Sequence, residues 1–194
     1  VLEILQYFKE PAPNQKIVAT PGQNTQVPVW LLGSSLFSAQ LAAKLGLPYS
    51  FASHFAPRML AQAIDIYREN FQASEYLDRP YVSMGIPTVV ATTDDEAKFL
   101  ATSSYQRILN LIRGHSLKLK APVESTDGLA SSAEQLAIQN FYAMAQIGSQ
   151  ETVKAGLNKI AEQYDVDEFI FTCDIYDTQK RLDNFSLLMD LKNQ

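Results

Sequence analysis

Three adjacent residues, Gly33, Ser34 and Ser35, are the first in the chain whose types and spacing suggest chemistry. They separate the apolar run "VWLLG" from the alanine-rich segment "LFSAQLAAKLG". The first run is too short for a helix and begins with β-branched and aromatic residues, so it reads as a strand, Val29–Gly33, buried on both faces. Leu41 and Leu45 lie four apart with small alanines between them, and Gly46 stands where a helix would end. A helix opening on Gly-Ser-Ser offers unpaired N–H groups, the positive end of its dipole and two hydroxyls, while Gly33 lets an anion approach the backbone. This is phosphate-binding chemistry. The alternative is that Ser34 or Ser35 merely caps the helix.

The second apolar run ends in "ASHFAP", which puts Ser53, His54 and Phe55 at the same end of the sheet as Gly33. His54 is the catalytic candidate. It can hydrogen-bond a ligand or stabilise a developing oxyanion, or be a structural histidine satisfied by a carbonyl. Asp174 and Tyr176 follow the last apolar run and either face the site or anchor loops. His115 lies in a polar loop, and Asp94, Asp95 and Glu96 are explained by helix capping. Trp30 is expected in the core, and Cys173, with no cationic neighbour in sequence, reads as an inert thiol. No His, Cys, Asp or Glu pair has metal-ligand spacing, and neither a nucleophile elbow nor a Gly-rich dinucleotide fingerprint occurs.

The elements that must position these residues alternate. "VLEILQYFKE" reads as the tail of a preceding helix over residues 1–9, followed by a proline-rich connection over 10–28 with a short strand at Lys16–Thr20. Strand Val29–Gly33 and its helix come next, then a strand at Tyr49–Ser53 and a helix carrying Met59, Leu60, Ala63, Ile64, Tyr67 and Phe71 at helical spacing. "YVSMGIPTVVA" is a third strand in which Gly85 and Pro87 demand a bulge or bend. A long helix follows, capped by Thr93 with Glu96 and ended by Gly114. A polar excursion leads to a helix at about Ser132–Gln146, another capped by Ser149, a fourth strand at Glu168–Thr172 and a closing helix. Strand–helix alternation implies parallel pairing, either in an open doubly wound sheet or in part of a (β/α)8 barrel. Four strands in 194 residues are short for a complete barrel, so the α/β reading is the C-terminal half, about strands 5–8, as a single partial domain over residues 1–194.

Composition narrows the partners. With 46% hydrophobic residues the chain can bury a core, and a net charge of −5 gives no basic face for nucleic acid or anionic lipid. No apolar run approaches the roughly 20 residues of a membrane helix. A single cysteine and no apparent signal peptide favour a reducing cytoplasm.

Together, "PVWLLGSSLFSAQLAAKLGLPYSFASHFAP", "AIDIYRENFQAS", "RPYVSMGI", "IGSQETV" and "DEFIFTCDIYD" resemble the luciferase-like, flavin-dependent monooxygenases, in that family's order and over most of Pro28–Leu182. The resemblance implies a (β/α)8 TIM barrel that holds FMN, reduced by a separate reductase, at the strand C-termini. There the flavin activates O2 to oxidise a small organic substrate. It also implies that Gly33, Ser34, Ser35 and Ser38 contact the FMN phosphate; Ser53, His54 and Phe55 are candidates for the flavin or substrate by their position at the same end of the sheet. The family's first four strands have no counterpart here, so the resemblance predicts open sheet edges and an exposed apolar inner face, covered by the missing N-terminal half or by a second copy. A non-catalytic, at most flavin-binding half-barrel that oligomerises is the alternative.

Overall fold

The structure, a computed structural model, describes residues 1–192. Five strands, β1 (Leu31–Gly33), β2 (Tyr49–Ala52), β3 (Val82–Val90), β4 (Gln146–Gly148) and β5 (Glu168–Thr172), form one sheet in which every pairing is parallel. The helices are α1 (Leu2–Phe8), α2 (Leu36–Leu45), α3 (Leu60–Glu69), α4 (Asp94–Ile112), α5 (Ser132–Phe141), α6 (Gln150–Tyr164) and α7 (Thr178–Lys192). The four expected strands stand side by side in chain order, with Leu32 opposite Ser50, Ser50 opposite Ser83 and Ser83 opposite Glu168.

The core lies where strand period meets helix period. Tyr49, Phe51, Val82, Met84 and Ile86 project to one side and pack on Ala39, Ala42 and Ala43 of α2 and on Leu60, Ala63, Ile64 and Tyr67 of α3. The three alanines let α2 lie close to the sheet, so the residues at its N-terminus are fixed relative to the end of β1. On the opposite face, Ser50, Ala52, Ser83 and Gly85 occupy the inner strands, flanked by Leu32 and Ile170.

The structure corrects the sequence reading at several places. β1 and β5 each have one neighbouring strand, and Leu32 is 67% exposed, so β1 is not a strand buried on both faces. Trp30 precedes β1 and packs edge to face on Tyr81 rather than in the core, with ring centroids 5.4 Å apart. The inner face carries Ser50, Ala52, Ser83 and Gly85 at its centre, all buried, rather than the exposed apolar set expected. No strand forms at Lys16–Thr20. The helix expected to reach Gln146 stops at Phe141, because Gln146–Gly148 pairs with Thr88–Val90 as β4. β3 has no bulge: its register with β5 runs one to one from Ser83 opposite Glu168 to Pro87 opposite Thr172. What changes at Pro87 is the partner, since β2 pairs only as far as Gly85 and β4 begins at Thr88.

Gly46 ends α2 in the left-handed conformation (φ 60°), and a Cβ there would lie 2.4 Å from the Gln72 carbonyl oxygen. Backbone strain and a backbone clash act together, so Gly46→Ala should cost about 2 kcal/mol or more in urea unfolding. An unchanged midpoint would contradict this packing.

Candidate functional site

Two features gather at the C-terminal end of the sheet. The first is the start of α2. Ser35 is its N-cap: the Oγ accepts from the Ser38 N–H at 3.2 Å, and the Ser38 hydroxyl donates back to the Ser35 carbonyl at 2.7 Å. Ser38 Oγ also lies 3.3 Å from the Tyr49 hydroxyl, which anchors this turn to β2. A Cβ on Gly33 would fall 2.3 Å from Ser38 Oγ, so the glycine makes room for Ser38 rather than simply opening the backbone to an anion. Among the described residues, the Ser34 hydroxyl has no hydrogen-bond partner and the Leu36 and Phe37 amides have no acceptor, as expected for the first turn of a helix. These donors and the positive helix end can hold a phosphate. The capping alternative thus holds for Ser35, while Ser34 keeps a free hydroxyl.

The second feature is a cleft of about 220 Å3 bounded by His54 beyond β2, Pro87–Val89 of β3, Arg107 of α4, Phe141 and Tyr142 at the end of α5, and Asp174 beyond β5. Arg107 and Asp174 form its ion pair: Asp174 Oδ2 accepts from Arg107 Nε at 2.7 Å and Nη2 at 2.5 Å, and from the Ser104 hydroxyl at 3.3 Å. The His54 ring packs on Phe55 and Phe141, with centroids 4.2 and 5.6 Å away. Phe55 meets Phe141 edge to face, so an aromatic trio fastens α5 over the end of β2.

Two buried polar atoms of this lining, His54 Nδ1 and the Tyr142 hydroxyl, have no hydrogen-bond partner among the described residues. The Ser104 hydroxyl, which donates to Asp174, opposes the rise in the Tyr142 pKa. Burial prevails and pushes the Tyr142 phenol up to about 12. Burial also lowers the His54 pKa below its usual 6.5, helped by the Arg107 charge and opposed by Asp174. His54 is therefore neutral at pH 7, able to donate from one nitrogen and accept at the other.

The remaining sequence-selected residues fall outside the cleft. Ser53 is fully buried and donates to the Gly85 carbonyl at 2.6 Å, so it ties β2 to β3 and does not face a ligand. Phe55 is 66% exposed beside His54. Tyr176 lies by His115 in a separate groove. Burial raises the Cys173 pKa, consistent with an inert thiol. Asp94 does more than cap: its Oδ1 accepts from the Ser149 N–H at 2.6 Å, tying the start of α4 to the start of α6. Sequence reasoning missed Arg107, Ser104, Phe141 and Tyr142. The signal was present: Ser104 and Arg107 share the α4 face that carries Leu100, Ala101 and Ile108, where polar residues interrupt a buried stripe.

Because the folded His54 pKa is depressed, its contribution to stability is present above about pH 6.5 and is lost as pH falls through the folded value, where only the unfolded chain readily takes up the proton. Urea-unfolding stability should therefore fall on acidification from pH 7 to 5.5, and His54→Gln should flatten that slope. Arg107→Gln should raise the imidazole pKa in an NMR titration, and a further fall would contradict the assigned contacts.

Comparison with known proteins places this chain in a family. The sequence profile described as luciferase-like monooxygenase matches residues 6–167. A luciferase-like monooxygenase of Escherichia coli (strain K12) is 42% identical over 194 residues, covering 100% of this chain and 58% of that protein. The uncharacterized protein YvbT of Bacillus subtilis (strain 168) is 39% identical over 191 residues, covering 97% and 56%. The chain thus spans less than two-thirds of the length of these relatives. Among solved structures, apo-MsnO8 superimposes with a TM-score of 0.78 at 25% identity, covering 99% of this chain and 58% of that one. The oxygenating constituent of 3,6-diketocamphane monooxygenase of Pseudomonas putida, solved with FMN, shares the fold at a TM-score of 0.55 and 17% identity, covering 83% and 46%. The chain belongs to the luciferase-like monooxygenase family.

Proposed function

We propose that this chain is the C-terminal half of a flavin-dependent (β/α)8 monooxygenase, with β1, β2, β3 and β5 standing as strands five to eight, and that it supplies the FMN-phosphate site. The observation that carries the reading is the start of α2, where the Ser34 hydroxyl and the Leu36 and Phe37 amides lie unpartnered just after the end of β1. The residues fit a phosphate: the donors have no partner among the described residues, and Ser35, Ser38 and Tyr49 hold the turn rigid. Reduced FMN, supplied by a separate reductase, would provide the electrons with which O2 is activated and an organic substrate oxidised. The chain's own work is to anchor the phosphate at the positive helix end and to hold a neutral, half-buried histidine at the cleft. The His54 ring, packed against Phe55 and Phe141, can donate or accept one hydrogen bond at Nδ1 while uncharged at pH 7, and would become an imidazolium on taking up a proton.

Ser34 is the cleaner probe, because Ser35 also caps the helix. In the full-length protein, Ser34→Ala should weaken FMN by roughly tenfold to a hundredfold, the worth of one hydrogen bond to a charged group, and leave riboflavin unchanged. Ser35→Ala should additionally lower stability by about 1 kcal/mol. Equal losses of FMN and riboflavin on Ser34→Ala would mean that the serine does not contact the phosphate.

The edges support the second half of the proposal. β1 and β5 each leave one side unpaired, so a partner, either the N-terminal half-barrel or a second copy, is expected to cover them. Light scattering on this chain alone should show a dimer or larger assembly at micromolar concentration. A monodisperse monomer would count against it.

A further inference from the structure

We propose that Tyr142 is a gate in the wall of the cleft: its ring separates the cleft from a second hollow on another face of α4, and its displacement opens a lateral passage for small uncharged molecules. The gate itself is a matter of packing. Only its use, as an entry to the end of the sheet where an oxidation would occur, rests on the oxygenase reading above.

The second hollow, of about 280 Å3, is lined by Ala101, Thr102 and Tyr105 of α4, by Thr126 of the excursion, and by Tyr142 and Ile147. The excursion beside it is tied along α4: the Val123 N–H donates to the Thr102 hydroxyl at 2.9 Å, and Gln106 Nε2 donates to the Ala121 carbonyl at 2.9 Å. Ser104 and Arg107 line the cleft from a different face of the same helix. Among the described residues, only Tyr142 and Ile147 line both spaces, so these two side chains are the wall between them.

The two are held differently. Ile147 belongs to β4, pairs opposite Val89 and packs on the cluster that includes Val89 and Leu100, so the backbone ladder fixes it. Tyr142 stands just past the end of α5, where its ring meets Phe141 edge to face with centroids 5.9 Å apart. Its hydroxyl is buried and has no hydrogen-bond partner among the described residues. No such bond locks the side chain, and its present position costs the phenol its hydration. Swung into the second hollow, the more open of the two, the same hydroxyl would regain water. Packing thus favours the closed ring and hydration the open one, and the balance of the two sets how often the gate opens. The passage is selective as well. Past the ring lie Ala101, Tyr105 and Ile147, and the Lys98 ammonium is held by Asp95 at 3.4 Å. A charged molecule would shed its water there without gaining a partner, so the passage admits uncharged ones.

Alkylbenzenes measure the partition. A single ring suits a cleft of about 220 Å3, since a cavity of roughly 150 Å3 accommodates benzene, whereas the tail of n-butylbenzene has to cross into the second hollow. In the full-length protein, titrated by ligand-observed NMR with and without FMN, affinity should rise from benzene to toluene and then level off. In Tyr142→Ala it should keep rising, by about threefold to fourfold per methylene, as far as n-butylbenzene. Tyr142→Phe keeps the ring and removes the orphaned hydroxyl, so the exchange of fluorobenzene, read by fluorine NMR, should slow by about tenfold while the urea midpoint holds or rises. Equal chain-length profiles in the natural protein and Tyr142→Ala would show that the ring divides nothing. Exchange that fails to slow, or a lower midpoint, in Tyr142→Phe would show that the hydroxyl is not what opens the gate. Any of these overturns the proposal, as does failure of every probe to bind. Should Tyr142→Ala not fold, Tyr142→Leu takes its place in the series. FMN binding in the same samples tests the function proposed above: its loss would undo that reading and leave the gate standing.

Discussion

Everything in this sheet depends on β3 having neighbours along both sides. It pairs with β2 on one stretch and β5 on another, and its last three residues pair with β4, so nine consecutive residues organise four of the five strands. The burial follows: every β3 residue but Pro87 is buried. The strand is buried on both faces, with apolar Val82, Met84 and Ile86 on one and small Ser83 and Gly85 on the other. Pro87 lacks an N–H, and it falls at the point where β3 exchanges partners. At its end, Val90 pairs with Gly148 of β4 while its N–H donates to the buried Asn184 side chain at 2.7 Å, so α7 supplies an acceptor where no strand does.

The cleft is a consequence of that arrangement. β3 continues beyond β2, and the extension Thr88–Val90 carries β4 while Pro87, Thr88 and Val89 form a floor. The roof comes from α5, which belongs to the long segment between α4 and β4. It is held at two points. Near its start, Glu134 takes a bidentate grip from Arg113, at 2.7 and 3.0 Å, and closes a capping box with Ser131; these contacts bring its carboxyl down to about 2. At its end, Phe141 packs on His54 and Phe55. The floor is thus made of backbone pairing and the roof of side-chain contacts, so the roof is the part whose shape substitutions can most readily change.

This division also explains what could be read from the sequence. The βα units announced themselves by local pattern: the Ala39–Ala43 stripe, the Thr93 and Ser149 caps, and the apolar runs at Tyr49 and Glu168. The helix start after Gly33 was equally legible, because capping and anion-binding chemistry are written in neighbouring residues. The cleft was not. Its ion pair joins residues 107 and 174, and its aromatic trio joins 54, 55 and 141, and no local period links such positions. β4 was missed for a related reason: three residues are too few to show an alternation, and only the end of β3 makes them a strand. The misreading of Leu32 has a different cause, since an apolar run reports that a surface is to be covered but not by what.

The bond from Asp94 to the Ser149 amide bears on how such a protein can diversify. It pins the first turn of α4 to the first turn of α6, and the chain between them, with α4, the irregular excursion and α5, becomes a loop closed at its neck. Once a neck is fixed, lengthening the loop is cheap: each doubling adds only about 0.6 kcal/mol of closure entropy. Insertions, deletions and wholesale rewriting of the excursion can therefore accumulate without disturbing the parallel strands beneath. A lineage carrying this clamp is free to exchange one roof for another over an unchanged floor, and so to try new occupants for the cleft while the start of α2 stays where it was.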